Sequence, residues 1–149
     1  MNLVTSQVGI DLLKRLEGFE PKAYADTGGK MTIGYGTLID TVNEKWLLSA
    51  VIDKATGEEL LKTDLKPIEK FLNANCEKNL NQSQFDSLVC FIYNIGIGAF
   101  RKSTLFRYVN SDPNSPQIHN QFLKWIFVAG VESRGLYNRR MAESKLYYS

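Results

Sequence analysis

The sequence is poor in the residues that build metal centres and disulfide frameworks. It has two cysteines, Cys76 and Cys90, and one histidine, His119, in 149 residues. A tetrahedral zinc site takes four such ligands, and disulfide-rich scaffolds carry several cysteine pairs. We therefore expect no metal and no cofactor, with the two cysteines as buried or half-buried thiols and a bridge between them as the alternative. His119 is expected on a helix surface, without a catalytic role.

Long apolar runs are also missing. No stretch approaches the roughly 20 apolar residues that a membrane-spanning helix needs. The N-terminal segment MNLVTSQVGIDLLKRLEGF lacks the basic start and apolar run of a secretory signal. We therefore expect no membrane span and a location in the cytoplasm of the cell that makes the protein.

Low-complexity segments, internal repeats and nucleic-acid-binding motifs are absent as well. The formal net charge is +2, but residues 101–149 hold eight Lys and Arg against three Asp and Glu. Such a basic part is suited to an anionic polymer, and it is equally consistent with solvated helix faces. We expect no nucleic-acid partner.

The composition is that of an ordinary globular domain, with 44% hydrophobic and 23% charged residues. At this length we expect one domain, or one domain with two lobes, and a sizeable core.

The stretch Glu17–Thr37, EGFEPKAYADTGGKMTIGYGT, is the most informative part of the chain. Apolar residues at helical spacing precede it and predict a helix from about Ser6 to Glu17, which Gly18 ends. A strand from Lys22 to Ala25, a Gly-rich loop and a strand from Met31 to Tyr35 then predict a tight hairpin.

This stretch carries two carboxyl groups and a hydroxyl, on Glu17, Asp26 and Thr32. The last turn of a helix is the negative end of its dipole, where the charged form of a carboxyl is disfavoured. Such an environment suits a general acid, whereas Asp26 in a polar loop suits a charged partner. Taken singly, each residue is more simply a helix-end or turn residue; the joint pattern is the specific signal.

The pattern E-x8-D-x5-T, followed by G-Y-G-T, resembles the phage-type lysozymes, the endolysin muramidases of glycoside hydrolase family 24. The resemblance continues through Gln84–Phe100, Phe122–Gly130 and Gly135–Tyr147, and so covers essentially the whole chain. It implies a lysozyme-like α+β fold with a small β-hairpin lobe, a larger mainly helical lobe, a long linking helix and a cleft. The hairpin lobe is expected at about residues 18–55, and the helical lobe at about 70–149 together with the N-terminal helix 6–17.

Capping and turn signals predict the remaining helices. Thr56 with Glu59 fits a capping box for the linking helix, in which Pro67 predicts a kink or a short break. Asn81 with Gln84 fits a second capping box, opening a central helix that ends at Gly96.

Three further segments follow toward the C-terminus. Ser103 is the expected cap of a helix over 104–110. Ser115 caps a helix that begins at Pro116 and carries an apolar stripe to Ala129 before Gly130 ends it. A last helix spans Leu136 to Tyr147. Residues 40–52 fit either a short helix or an irregular apolar loop.

The resemblance also implies a chemistry. It assigns hydrolysis of the β-1,4 bond between N-acetylmuramic acid and N-acetylglucosamine in bacterial peptidoglycan. Glu17 matches the acid, and Asp26 and Thr32 match the groups that hold the attacking water in an inverting scheme. Arg139 matches an arginine that holds the acid in place.

Sugar contacts are implied for Leu38, Tyr93 and Ser103, and Tyr35 is a further candidate for stacking on a pyranose ring. An aromatic residue at such a position also fits a core role. The protein is expected to be a monomer and to reach the cell wall after release by a separate protein. The alternatives are a catalytically silent cell-wall-binding or regulatory domain, and a transglycosylase or chitinase-like activity on the same scaffold.

Overall fold

The computed structural model describes all residues, 1–149, and has an α+β architecture. In chain order its elements are α1 (Gln7–Glu17), β1 (Glu20–Ala25), β2 (Met31–Gly34), β3 (Thr37–Leu38), a 3₁₀ helix (Lys45–Leu48), α2 (Lys54–Asn75), α3 (Gln82–Ile95), α4 (Ile97–Arg101), α5 (Thr104–Ser111), α6 (Gln117–Phe122), β4 (Phe127–Val128), β5 (Val131–Glu132) and α7 (Arg134–Tyr147). None of the seven α-helices combines the length and the apolarity that a membrane span requires.

The chain divides into two compact units. One contains Ile10–Lys66, and the other contains Met1–Gly9 with Pro67–Ser149. We refer to them as the hairpin unit and the helical unit. Most of α1, including its C-terminal end, therefore belongs to the hairpin unit.

The predicted end of the first helix and the hairpin that follows it are confirmed. Helix α1 ends at Glu17, and Gly18 follows with φ +72°, a backbone conformation that glycine adopts without steric penalty. Strands β1, β2 and β3 form one antiparallel sheet in that order. The third strand is only two residues long.

An apolar cluster supports this sheet. Its buried members are Ile33, Ile39, Leu47 and Ile52. Leu47 comes from the 3₁₀ helix, so the segment 40–52 is mostly irregular and is anchored by one short helical turn. Gly34 has φ +68°, and a Cβ built there lies 3.4 Å from the Gly57 Cα. The backbone of β2 therefore approaches that of α2 closely at Gly34.

The start of helix α2 differs from the prediction. The helix begins at Lys54, two residues before Thr56, and the Asp53 Oδ1 accepts a hydrogen bond of 2.8 Å from the Thr56 N–H. This bond lowers the pKa of Asp53. The predicted cap at Thr56 is thus wrong, because Asp53 offers a carboxylate acceptor one turn earlier. The helix continues through Pro67 without a break.

The helical unit is built around α3, which is buried along Gln84–Ile92. The predicted capping box of Asn81 and Gln84 is present, and Gly96 ends the helix with φ +90°. Ser103 caps α5, as predicted. Phe91 lies at the centre of the aromatic core, with edge-on contacts to Phe100, Phe122 and Trp125.

The helix predicted from Pro116 to Ala129 is only half present. Helix α6 ends at Phe122, and the residues after it form a second hairpin, β4–β5. Ala129 and Gly130 occupy its turn with φ +49° and +80°. Gly130 therefore acts as a hairpin residue and not as a helix stop, because two successive positive φ values are what a tight two-residue turn requires.

Both cysteines are free thiols. Cys90 is buried on α3, and burial raises the pKa of the half-buried Cys76 thiol to about 11. The prediction of buried or half-buried thiols is confirmed. The alternative of a disulfide between them is not realised.

Candidate active site

The loop between β1 and β2 holds the Asp26 side chain in one orientation. Its Oδ1 accepts hydrogen bonds from the backbone N–H groups of Gly28, at 2.9 Å, and Lys30, at 2.8 Å. The Asp26 N–H in turn donates to the Lys30 carbonyl at 2.9 Å, which closes the loop. Oδ1 is therefore committed to the backbone, and Oδ2 is the oxygen left to act on a ligand.

Thr32 is fixed by the same loop residue. Its Oγ1 donates to the Lys30 carbonyl at 3.0 Å, and the residue is 3% exposed. The backbone of Lys30 thus holds both Asp26, through its N–H, and Thr32, through its carbonyl. Because the hydroxyl proton of Thr32 is already used, the free capacity of this hydroxyl is that of a hydrogen-bond acceptor.

Glu17, the third member of the predicted set, lies at the C-terminal end of α1 and is half-buried. The negative charge of Glu17 acts on the phenol of Tyr24 on β1. Partial burial raises the pKa of Tyr24, and the charges of Glu20, Glu17 and Asp26 raise it further. Glu17 and Asp26 therefore lie on different segments of the hairpin unit but act on one phenol.

Leu38 lies in the same part of the sheet. It is the cross-strand partner of Thr32 and is 53% exposed. Directly opposite residues in an antiparallel pair project to the same face, so Leu38 stands beside the Thr32 hydroxyl. This position is compatible with the predicted sugar contact.

Tyr35 has an interior position instead. It is 3% exposed, its ring centroid lies 5.1 Å from that of Phe19, and the Lys14 ammonium lies 5.6 Å from the ring centre. The suggestion that its ring stacks on a pyranose is corrected, because so little of the ring is accessible. Its packing role was the alternative weighed from the sequence.

Arg139, Tyr93 and Ser103 belong to the helical unit. Arg139 is buried, donates from Nη2 to the Cys90 carbonyl at 3.0 Å and places Nε 3.3 Å from the Glu143 Oε1. These contacts fix the guanidinium, and its supporting role stays a prediction. Tyr93 is half-buried on α3.

The Ser103 hydroxyl has a structural task. It accepts from the Phe106 N–H at 3.1 Å and donates to the Phe100 carbonyl at 2.7 Å. Ser103 nevertheless borders a cavity of about 330 Å³ whose other lining residues are Lys102, Thr104, Gln121, Lys124 and Trp125. A sugar contact there stays a prediction.

A buried ion network beside Arg139 was not foreseen from the sequence. Arg140 is 1% exposed and pairs through Nη1 with Glu143, which is fully buried, while its Nε donates to the Trp125 carbonyl at 2.9 Å. Its Nη2 bonds to the Asn94 side chain. The spacing Arg-Arg-x-x-Glu on a helix was the available signal, since residues three and four apart share a face.

His119 is half-buried on α6, and its Nδ1 lies 2.7 Å from the Ser144 Oγ. It belongs to the contact between α6 and α7 and has no link to the residues above. No group of three or more His, Cys, Asp or Glu side chains is arranged to hold a metal ion.

Comparison with known proteins decides the family. The model of the phage lysozyme family matches residues 14–143, which include Glu17, Asp26, Thr32 and Arg139. The chain belongs to the phage lysozyme family.

Individual relatives agree with this assignment. The endolysin of Salmonella phage P22 is 37% identical over 97% of this chain and 97% of its own length. The endolysin of Bacillus phage B103 is 38% identical over 95% of this chain, but the chain spans only 53% of that protein. The chain thus corresponds to about half of the longer endolysin.

A solved structure of a P22 lysozyme mutant matches with a TM-score of 0.84 and 34% identity, over 99% of both chains. The lysozyme-like α+β fold expected from the sequence is confirmed.

Proposed function

We propose that this chain is a muramidase that hydrolyses the β-1,4 bond between N-acetylmuramic acid and N-acetylglucosamine in bacterial peptidoglycan. The phage lysozyme family and the endolysin relatives support the reaction class. The observation that carries the residue assignment is the double anchoring of Asp26 and Thr32 by Lys30, within the unit that also holds Glu17.

In this proposal Asp26 and Thr32 orient the attacking water. The Thr32 hydroxyl can only accept, and the Asp26 Oδ2 is an acceptor, so a water between them donates both of its hydrogens to the protein. Its lone pair is then directed away from both groups, toward the anomeric carbon of a bound sugar. Asp26 takes one of the two protons as the water attacks.

The second proton of the water stays on the new anomeric hydroxyl, and Glu17 supplies its own carboxyl proton to the leaving group. As a general acid it protonates the glycosidic oxygen while the bond to the anomeric carbon breaks. The water, attacking from the opposite face, gives a product with inverted anomeric configuration. Inverting enzymes hold their two carboxyl groups about 6.5–9.5 Å apart to leave room for the water, against about 5–5.5 Å in retaining enzymes.

Further roles are proposed for Arg139, Leu38, Tyr93 and Ser103. Arg139 has a supporting role, and the other three are proposed sugar contacts. We further propose that the protein acts on the cell wall as a monomer, after a separate protein has released it to the wall.

The decisive experiment is clearing of purified peptidoglycan by wild type, Glu17→Gln and Asp26→Asn. We expect both variants to lose at least about 100-fold in rate, because each removes a proton-transfer group. Equal clearing by wild type and Glu17→Gln would end the catalytic assignment. Glu59→Gln, at an exposed position of α2, is a matched control that removes a carboxylate elsewhere in the hairpin unit.

Analysis of the reaction products distinguishes hydrolysis from transglycosylation. A reducing muramic end indicates hydrolysis, and a 1,6-anhydro end indicates transglycosylation. NMR of the first-formed anomer tests inversion directly. An inactive wild-type protein that still binds peptidoglycan would support a binding domain.

A further inference from the structure

Three residues form a row across the sheet of the hairpin unit. Tyr24 on β1 is the cross-strand partner of Thr32 on β2, and Thr32 is the partner of Leu38 on β3. Directly opposite residues project to one face, and neighbouring residues along a strand to opposite faces. Ile33, next to Thr32, packs in the apolar cluster. The row therefore lies on the face turned away from that cluster.

The exposure along the row is uneven. Thr32 is 3% exposed, whereas Tyr24 and Leu38, on either side of it, are 38% and 53% exposed. An aromatic and an aliphatic side chain thus flank the one residue of the row that the proposed mechanism uses. Such a surface, apolar with a single recessed hydroxyl, suits the apolar face of a pyranose ring.

The Tyr24 hydroxyl has no hydrogen-bond partner within the protein. In this chain the phenols near the C-terminus behave differently, since Tyr147 donates to the Pro113 carbonyl at 2.7 Å and Tyr148 to the Ser115 carbonyl at 2.6 Å. Tyrosine hydroxyls that are partly withdrawn from water usually find a partner. The Tyr24 hydroxyl is therefore a donor that is left for a ligand or for solvent.

The Tyr24 hydroxyl lies within electrostatic reach of both proposed catalytic carboxyls. The charged groups that act on the phenol are Glu20 at the start of β1, Glu17 at the end of α1, and Asp26 after β1. In a glycosidase of this class the reacting sugar lies between the acid and the water-holding carboxylate. A hydroxyl within electrostatic reach of both, beside Thr32, is thus placed alongside that sugar.

We propose that Tyr24 is a sugar-binding residue of this site: its hydroxyl donates a hydrogen bond to an oxygen of the sugar held between Glu17 and Asp26, and its ring and Leu38 bracket the Thr32 hydroxyl. This inference rests on the function proposed above. It deepens that function by naming a residue that positions the reacting sugar.

The test uses Tyr24→Phe in the full chain, which keeps the ring and removes only the hydroxyl. Losing one hydrogen bond to an uncharged sugar oxygen predicts a fall of about 2- to 13-fold in kcat/KM on purified peptidoglycan. Tm stays unchanged, since the hydroxyl makes no internal bond.

A binding measurement isolates the sugar contact from chemistry. In the Glu17→Gln background, calorimetric titration with an oligomer of alternating N-acetylmuramic acid and N-acetylglucosamine gives Kd with and without the additional Tyr24→Phe change. We expect the additional change to weaken binding by a similar factor. Equal affinity of the two proteins would overturn the proposal.

Tyr148→Phe is the matched control, because it removes a hydroxyl that does make an internal bond. We expect it to lower Tm and leave sugar affinity intact. If Tyr24→Phe behaves in the same way, its hydroxyl is structural and the proposal is wrong. A different result would contradict the proposed function itself, namely clearing of peptidoglycan by Glu17→Gln at the wild-type rate.

Discussion

Replacing Glu143 by Gln should destabilise the protein strongly, because Glu143 is the counter-charge of two buried arginines. The Glu143 side chain is fully buried, and Arg139 and Arg140 are 8% and 1% exposed. Burial raises the pKa of the Glu143 carboxyl, and the charges of the two guanidinium groups oppose that rise. Gln keeps the size and one acceptor oxygen but removes the negative charge.

The expected magnitude follows from the environment of Arg140. Removing one partner of a buried pair leaves an uncompensated charge, which typically costs about 3–5 kcal/mol. This is a large fraction of the roughly 5–15 kcal/mol that stabilises a domain. At about 2–4 °C per kcal/mol for a chain of this size, Tm should fall by roughly 6–20 °C.

Urea unfolding and thermal melts followed by circular dichroism measure this loss. The variant Arg140→Met with Glu143→Leu removes the carboxylate together with the more deeply buried of its two arginines, and should recover part of the stability. The recovery is partial because Arg139 remains and has lost its contact with Glu143. A loss below about 1 kcal/mol for Glu143→Gln, or a double variant less stable than the single one, would contradict this account of the ion network.

Three further predictions concern the hairpin unit and the second hairpin. Burial raises the pKa of Asp64, whose Oδ2 accepts a hydrogen bond from the Thr37 hydroxyl at 2.6 Å. The folded state therefore binds the Asp64 proton more tightly than the unfolded state does. The stability that this proton contributes is lost as pH rises above about 4. Asp64→Asn should remove this pH dependence in urea unfolding, whereas an unchanged profile would assign it to other groups. Gly57→Ala should destabilise by about 1–3 kcal/mol in the same assay, despite the better helix propensity of Ala, since the new Cβ lies 2.8 Å from the Phe19 ring. Ala129→Gly should raise Tm slightly, because Ala129 has φ +49°, and a lower Tm would show that the turn is not strained.

Several elements could be predicted because their signals are local. The end of α1 depends on Gly18, the first hairpin on its Asp and Gly residues, and the start of α3 on the reciprocal bonds of Asn81 and Gln84. Each signal acts over fewer than five residues, so the chain carries it wherever it folds. The candidate site shares this property, since Asp26 and Thr32 are both fixed by Lys30.

Other features could not be predicted, because the local sequence offered two outcomes and contacts outside the segment selected between them. Asp53 and Thr56 are both residue types that cap helices well. In the structure Asp53 is the cap, because its carboxylate accepts from the Thr56 N–H. The stripe from Ile118 to Ala129 has helical spacing, yet α6 ends at Phe122 and the following residues pair as strands. Periodicity cannot distinguish these outcomes when the apolar run is short.

The fold class, the family and the small set of residues proposed for catalysis can be read from the chain alone, because they depend on residue types at fixed spacing. Which of those residues are exposed and which are buried in packing depends on the tertiary structure. It buried Tyr35 against Phe19, joined Arg139 and Arg140 to Glu143, and set Tyr24 beside Thr32. Burial and cross-strand neighbours arise from contacts between distant segments, and no local pattern in the chain encodes them.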